Sequence, residues 1–230
     1  MINAEYAAAL LPAQLSRIKR IPDRVSVIYV GSDACERLLP ECCHLEKIID
    51  LGKKPIAALP ALTDFYLNKS CAVIEEFLKK HDEIEVSVND IGALTLLHNE
   101  FSSRVKISIG RILCYLWNKN SIYFTQVMSK KFGISFFETD EEQTASNLMK
   151  SNLKVAFHYP YKYYGITRRC FYAQDNQLSA EKFSCSKLCP EKYIPLGKGD
   201  VFLRGNAYYS KPAKMPELMP GRIIIPYDSH

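Results

Sequence analysis

The chain has 230 residues, 47% of them hydrophobic and 24% charged, an ordinary globular balance that can bury a sizeable core. Its net charge of +5 is a mild surplus, compatible with an acidic substrate or RNA, but no lysine-rich tail or Arg/Gly repeat accompanies it. No run reaches the ~18 apolar residues of a membrane helix. Met1-Ile2-Asn3-Ala4-Glu5 lacks the basic-then-apolar order of a signal peptide, so the eight cysteines are expected as reduced thiols in the cytoplasm.

In chain order, Tyr6 to Lys19 reads as an amphipathic helix with Leu10, Leu11, Leu15 and Ile18 on one side. Val25 to Val30 is a continuous apolar run, the mark of a strand buried on both faces. Asp33 is placed to cap a short helix running to Leu39. Of the apolar runs Ile48–Leu51 and Ile56–Leu59, the second is the better strand. Thr63 or Asp64 then caps a long helix through Lys80, Ile84 to Val88 is a strand, and Asp90 caps a helix from Ile91 to about Asn99. Val105 to Ile109 is a strand, and a helix between Ile122 and Lys130 ends near Gly133. Ile134 to Phe137 is a strand that leaves Glu138 at its C-terminal end. Asp140-Glu141-Glu142 opens a helix to Lys150, as the helix dipole favours. Leu153–Phe157, Val201–Arg204 and Arg222–Ile225 complete the strands, the last two separated by a Pro-rich loop.

About six strand–helix alternations argue for a parallel sheet with helices outside it. The expected fold is α/β, a (β/α) barrel of TIM-barrel type in one domain over residues 1–230, with an open doubly wound sheet as the alternative. In either, sites gather at the C-terminal ends of the strands. Cys35, Asn89, Asp90, Arg111, Glu138, Tyr159 and Cys170 fall there.

Cys170, Cys185 and Cys189 form a C-x14-C-x3-C pattern in the segment 168–190. Converging thiolates suit an iron–sulfur cluster or zinc, and spacing alone does not separate the two. Three ligands do not close a tetrahedral site. Cys35, just after the Val25–Val30 strand, is the candidate fourth. Cys42-Cys43-His44 reads as incidental, Cys71 as core, Cys114 as a spare ligand, and His158 as either a proton donor or an aromatic-packed side chain. Gly197-Lys198-Gly199 reads as a turn. No Gly-x-Ser-x-Gly, His-Glu-x-x-His or Walker loop is present, and a peptidase reading lacks a nucleophile–base pair.

Several stretches together resemble a known family. Val27-Ile28-Tyr29-Val30-Gly31 followed by Cys35, Val88-Asn89-Asp90-Ile91-Gly92-Ala93-Leu94, Phe137-Glu138, Arg169-Cys170-Phe171-Tyr172-Ala173 and Cys185-x3-Cys189 are similar to segments of the collagenase-like proteins of peptidase family U thirty-two. Within that family the chain looks most like the UbiU/UbiV branch, the UbiV side in particular. The resemblance spans roughly residues 25–210. It implies a barrel-like fold holding a [4Fe-4S] cluster through Cys35, Cys170, Cys185 and Cys189. It also implies a role in oxygen-independent hydroxylation during ubiquinone biosynthesis, with a related family protein as heteromeric partner and a small apolar or prenylated aromatic substrate. Other relatives act in hydroxylation of RNA bases, and some are described as peptidases. A non-catalytic cluster-bearing partner subunit is the alternative role, and Asn89, Glu138 and His158 are the catalytic candidates. Two departures stand out. The family's glycine-containing first strand is not evident ahead of Val25, so the barrel is expected to be one strand short. Phe157-His158-Tyr159-Pro160-Tyr161 replaces its Gly-Arg-x-Pro-Leu stretch.

Overall fold

The computed structural model describes residues 4–15, 18, 21–101, 103–118, 121–167, 170, 193–197, 200–210 and 214–227. Strand and helix alternate as β1 (Glu5–Leu10), α1 (Pro12–Leu15), β2 (Val25–Gly31), α2 (Cys42–Asp50), β3 (Lys54–Leu59), α3 (Asp64–Leu78), β4 (Ile84–Val88), α4 (Ile91–Phe101) and β5 (Val105–Ile109). Then come α5 (Arg111–Asn118), α6 (Ile122–Phe132), β6 (Phe136–Thr139), α7 (Glu142–Lys150) and β7 (Val155–His158). The remaining strands are β8 (Lys162–Ile166), β9 (Ile194–Pro195), β10 (Val201–Arg204), β11 (Ala207–Ser210) and β12 (Arg222–Pro226).

Eight of these strands close into a parallel barrel in the order β1-β12-β7-β6-β5-β4-β3-β2, a TIM-type barrel with helices around it. The other four form a separate antiparallel sheet, β8-β11-β10-β9. Side chains alternate between two apolar layers. Ala7, Val27, Tyr29, Ile56, Ala58, Ala156 and Ile224 cluster inside the barrel. Ala8, Ile28, Val30, Ala57, Val86, Ile107, Phe137 and Phe157 join the larger layer between strands and helices. Burial on both sides is why these strands read as continuous apolar runs.

Three expectations change. The stretch Tyr6–Lys19 is not one helix: Glu5–Leu10 is a strand, followed by the four-residue α1. Alanine-rich sequence favours a helix in isolation, but this run pairs in parallel with both β2 and β12, so its backbone is satisfied on two sides. The barrel is therefore complete, not one strand short. Likewise Asp33 caps nothing: the short turn Glu36–Leu38 starts from Cys35 without a side-chain cap, and Asp33 is occupied by Arg111.

At the N-terminal end of the barrel the interior is ionic. Arg222 is 1% exposed and donates to Glu85 at 2.5 and 3.1 Å, to Glu5 at 2.6 Å and to the Tyr29 hydroxyl at 2.8 Å. Glu85 also accepts from Lys54 and Ser108. Burial would raise the Glu85 carboxyl, but the bonds from Arg222 and Lys54 hold it below its ordinary value. A buried charge persists only when paired and hydrogen-bonded in this way.

Candidate functional site

At the C-terminal mouth the inward positions of four strand ends carry small residues: Ala9, Gly31, Ala58 and Ser87. The missing side-chain volume leaves a cavity of about 80 Å³, walled on the other side by Glu138 and His158. Gly31 is fixed for a second reason. Its φ is +126°, and an added Cβ would lie 2.3 Å from the Ala58 carbonyl oxygen. Tyr29, Tyr159, Tyr161, Tyr193 and Tyr209 supply most of the aromatic wall.

Glu138 and His158 meet because β6 and β7 pair with Glu138 opposite Ala156, which sets His158 one inward position nearer the mouth. Nε2 of His158 lies 2.9 Å from Oε2 of Glu138. Glu138 is 2% exposed, and its other oxygen, Oε1, is buried with no hydrogen-bond partner among the described residues. Leaving a buried acceptor unpaired costs on the order of 1–3 kcal/mol, more when it is charged.

Arg111, the first residue of α5, ties the mouth to the antiparallel sheet. Its Nε donates to Asp33 at 2.5 Å, its Nη1 reaches Asp140 at 3.4 Å, and its guanidinium lies 5.1 Å from the Tyr209 ring centroid and 5.7 Å from that of Tyr163. Asp140 also accepts from the Tyr163 backbone amide at 2.6 Å. Burial opposes both charges of the Asp33–Arg111 pair, yet each holds the other ionised: the Asp33 carboxyl is lowered and the guanidinium raised. Burial, then the Asp33 charge, pushes the Tyr163 hydroxyl up to about 12. Around this hub, Ala34, Ala207 and Tyr209 pack with Tyr161, Tyr163, Tyr193 and Phe202, so the sheet sits on the rim.

The cysteine positions follow from the same arrangement. Ser32 Oγ accepts from the backbone amides of Ala34 and Cys35, turning the chain at the end of β2. The β10–β11 hairpin turns through Gly205, at φ +64°, and Asn206. Nδ2 of Asn206 donates to the Ala34 carbonyl at 2.9 Å and to the Thr167 carbonyl at 3.3 Å. One side chain thus joins Ala34, next to Cys35, to Thr167, three positions before Cys170. Both cysteines are half-buried. Cys185 and Cys189 lie outside the described residues.

The other candidates separate cleanly. Asn89 spends its side chain on backbone: Nδ2 donates to Leu59 and Oδ1 accepts from Ile112, bracing β3 against the start of α5. It does not line the cavity. Asp90 caps α4 through the Ala93 amide. Cys114 is 1% exposed, and burial followed by the Glu138 and Asp140 charges raises its thiol well above the ordinary range, which suits a core residue and not a thiolate ligand. Cys71 packs half-buried against the core. Glu41, Cys43 and His44 bring ligand atoms within 4.8 Å of one another at the exposed start of α2, where Glu41 and His44 already form a reciprocal cap. No helix among the described residues is long and apolar enough to cross a membrane.

No protein-family model matches this chain, and no curated protein does. Among solved structures it is similar to the intracellular xylanase TsXylA from Thermoanaerobacterium saccharolyticum JW/SL-YS485, at 10% identity over 72% of this chain and 76% of that one, with a TM-score of 0.44. A GH10 xylanase from Thermobacillus composti is similar at 10% identity, covering 77% and 74% of the two chains, with a TM-score of 0.42. These likenesses carry nothing about chemistry.

Sequence reasoning placed Arg111 and Glu138 on the rim but missed Asp140, Asn206, Tyr193 and Tyr209 as parts of the site. A signal was present for Asn206: Gly205-Asn206 between two short runs is a two-residue hairpin signature. Asp140 reads equally well as the start of an acidic helix, and nothing local distinguishes the two roles.

Proposed function

We propose that this barrel carries a [4Fe-4S] cluster at its C-terminal rim, held by Cys35, Cys170, Cys185 and Cys189, and takes part in an oxygen-independent hydroxylation. The observation that carries this reading is the Asn206 bridge, which ties Ala34, next to Cys35, to Thr167, three positions before Cys170. The donor chemistry suits the group: two half-buried cysteines, with a C-x3-C pair following in sequence. When bound, the cluster supplies one-electron transfer. Four thiolates would leave no iron position open, so the substrate binds elsewhere on the rim, where the tyrosines favour a flat aromatic group. The resemblance to the UbiU/UbiV branch of peptidase family U thirty-two supports this role and a related protein as partner.

The test is anaerobic purification with iron and acid-labile sulfide measured per chain. Serine at Cys35 or Cys170 abolishes the cluster, while serine at Cys43 or Cys71 leaves it. Stoichiometric zinc without sulfide refutes the cluster in favour of a structural zinc site. A second reading, a non-catalytic partner subunit, is favoured by Tyr115, Leu116, Tyr123 and Val127, which stand exposed on the contacting helices α5 and α6. Deleting the gene and comparing quinone intermediates and RNA hydroxylation under anaerobic growth separates the roles. Loss of RNA hydroxylation with unchanged quinones refutes the quinone branch.

A further inference from the structure

Glu138 lines the rim cavity, and among the described residues one of its carboxylate oxygens is buried without a hydrogen-bond partner. Glu138 is held from one side only, by His158 at Oε2, and its Oε1 is buried with nothing to accept from. The neighbouring charges do not answer it. Arg111 is committed to Asp33 and Asp140, and Arg204 donates to Gln14 and stacks on Tyr193. The space beside Glu138 exists because Ala9, Ala58 and Ser87 stand where barrel interiors commonly carry large branched side chains. It measures about 80 Å³, roughly half the ~150 Å³ cavity that holds a benzene molecule. It therefore admits one polar end of a ligand, with the rest lying in the mouth among the tyrosines.

We propose that this cavity is a binding site for a hydroxyl group, whose O–H donates to Glu138 Oε1 while His158 fixes the carboxylate from the opposite side. An acceptor-only oxygen selects a donor, and a buried acceptor discriminates strongly against an analogue that lacks the donor. The role of His158 is positional: it occupies Oε2 and so leaves Oε1 as the oxygen that meets the ligand. The hydroxyl belongs either to an aromatic ring, which the tyrosine wall would stack against, or to an aliphatic polyol, which Ser87 and the tyrosine hydroxyls would also contact. This inference does not depend on the cluster.

The experiment uses the full chain, purified anaerobically, in saturation-transfer NMR titrations with phenol and glycerol. Each is compared with its ether counterpart, anisole or 1,2,3-trimethoxypropane. The expected result is saturable binding of at least one hydroxylated probe, at least tenfold tighter than its ether, and at least tenfold weaker in Glu138→Gln. Binding of phenol alone assigns an aromatic hydroxyl, and binding of glycerol alone assigns a polyol. Ala58→Leu fills the cavity from the opposite wall and abolishes binding, which keeps the inference testable if Glu138→Gln folds poorly. The inference is overturned if neither hydroxylated probe saturates, if the ethers bind as well, or if both variants bind like the parent, since water is then the occupant. Iron and sulfide are measured on the same samples. Hydroxyl binding in an iron-free protein supports this inference and removes the cluster reading alone. A loaded cluster without hydroxyl binding does the reverse.

Discussion

Replacing Arg222 with methionine isolates the largest electrostatic commitment inside the barrel. The guanidinium is 1% exposed, donates to Glu85, Glu5 and Tyr29, and lies 4.2 Å from the Phe136 ring centroid. Methionine fills part of the volume but leaves the Glu85 carboxylate buried, with only Lys54 and Ser108 among the described residues to answer it. Removing one partner of a buried pair costs about 3–5 kcal/mol. At the 2–4 °C per kcal/mol expected for a chain of this size, the melting temperature falls by about 6–20 °C. The sign with pH follows from Glu85, whose folded carboxyl lies below its unfolded value. In the parent protein its contribution is full above the unfolded carboxylate range and is lost as pH falls through the folded value. In the variant that carboxyl no longer has Arg222 to hold it down, so the gap between the two proteins narrows as the solution is acidified. Urea melts at neutral pH and near pH 4 measure both effects. Adding Glu85→Gln to Arg222→Met removes the stranded charge and recovers about 1–2 kcal/mol. A loss under about 1 kcal/mol for Arg222→Met, or a double variant no more stable than the single, would refute the view that this pair is a buried, mutually dependent unit.

Two further variants test the rim. Asp33→Asn leaves Arg111 with Asp140 as its only carboxylate partner among the described residues and costs about 2–3 kcal/mol at neutral pH by urea titration. Because the folded Asp33 carboxyl is lowered, the parent loses this contribution as pH falls through that value, and the variant shows a flatter acid limb. Gly110→Ala places a Cβ 2.3 Å from Nδ2 of Asn89, forcing apart the clamp between β3 and α5. Overpacking of this kind costs about 1–3 kcal/mol, and unchanged thermal stability would show that the clamp yields freely.

The barrel was largely legible because its outward face is continuous. Val25–Val30, Ile84–Val88 and Val105–Ile109 each carry apolar residues against the helices whatever lies inside. The first strand was not, because Ala7-Ala8-Ala9 has no β-branched residue and its identity is decided by pairing with β2 and β12, the latter more than two hundred residues away. Nor was α5 read, since Arg111–Asn118 begins one residue after a strand, with no Ser, Thr, Asp or Asn just ahead of it in sequence. The site divides in the same way. Glu138 and His158 sit at strand ends that a barrel brings together, so their positions are readable once the fold is. Tyr209 and Asn206 arrive from a sheet whose strands are two to five residues long, too short to carry a periodic signal.

The barrel is sealed by β12, which enters between β1 and β7 and begins 64 positions after β7 ends. Everything that crowns the mouth is threaded into the chain before the last stave arrives. During synthesis, seven staves and the crown emerge while β1 and β7 still present open edges to the solvent, each able to recruit a foreign strand. Closure then joins Glu5 to Arg222, a contact of very long sequence separation whose loop entropy must be met at the end of folding. A nascent chain halted before Arg222 is thus a sticky half-pipe already bearing its crown. The step that completes the molecule and the step that removes its aggregation hazard are the same event.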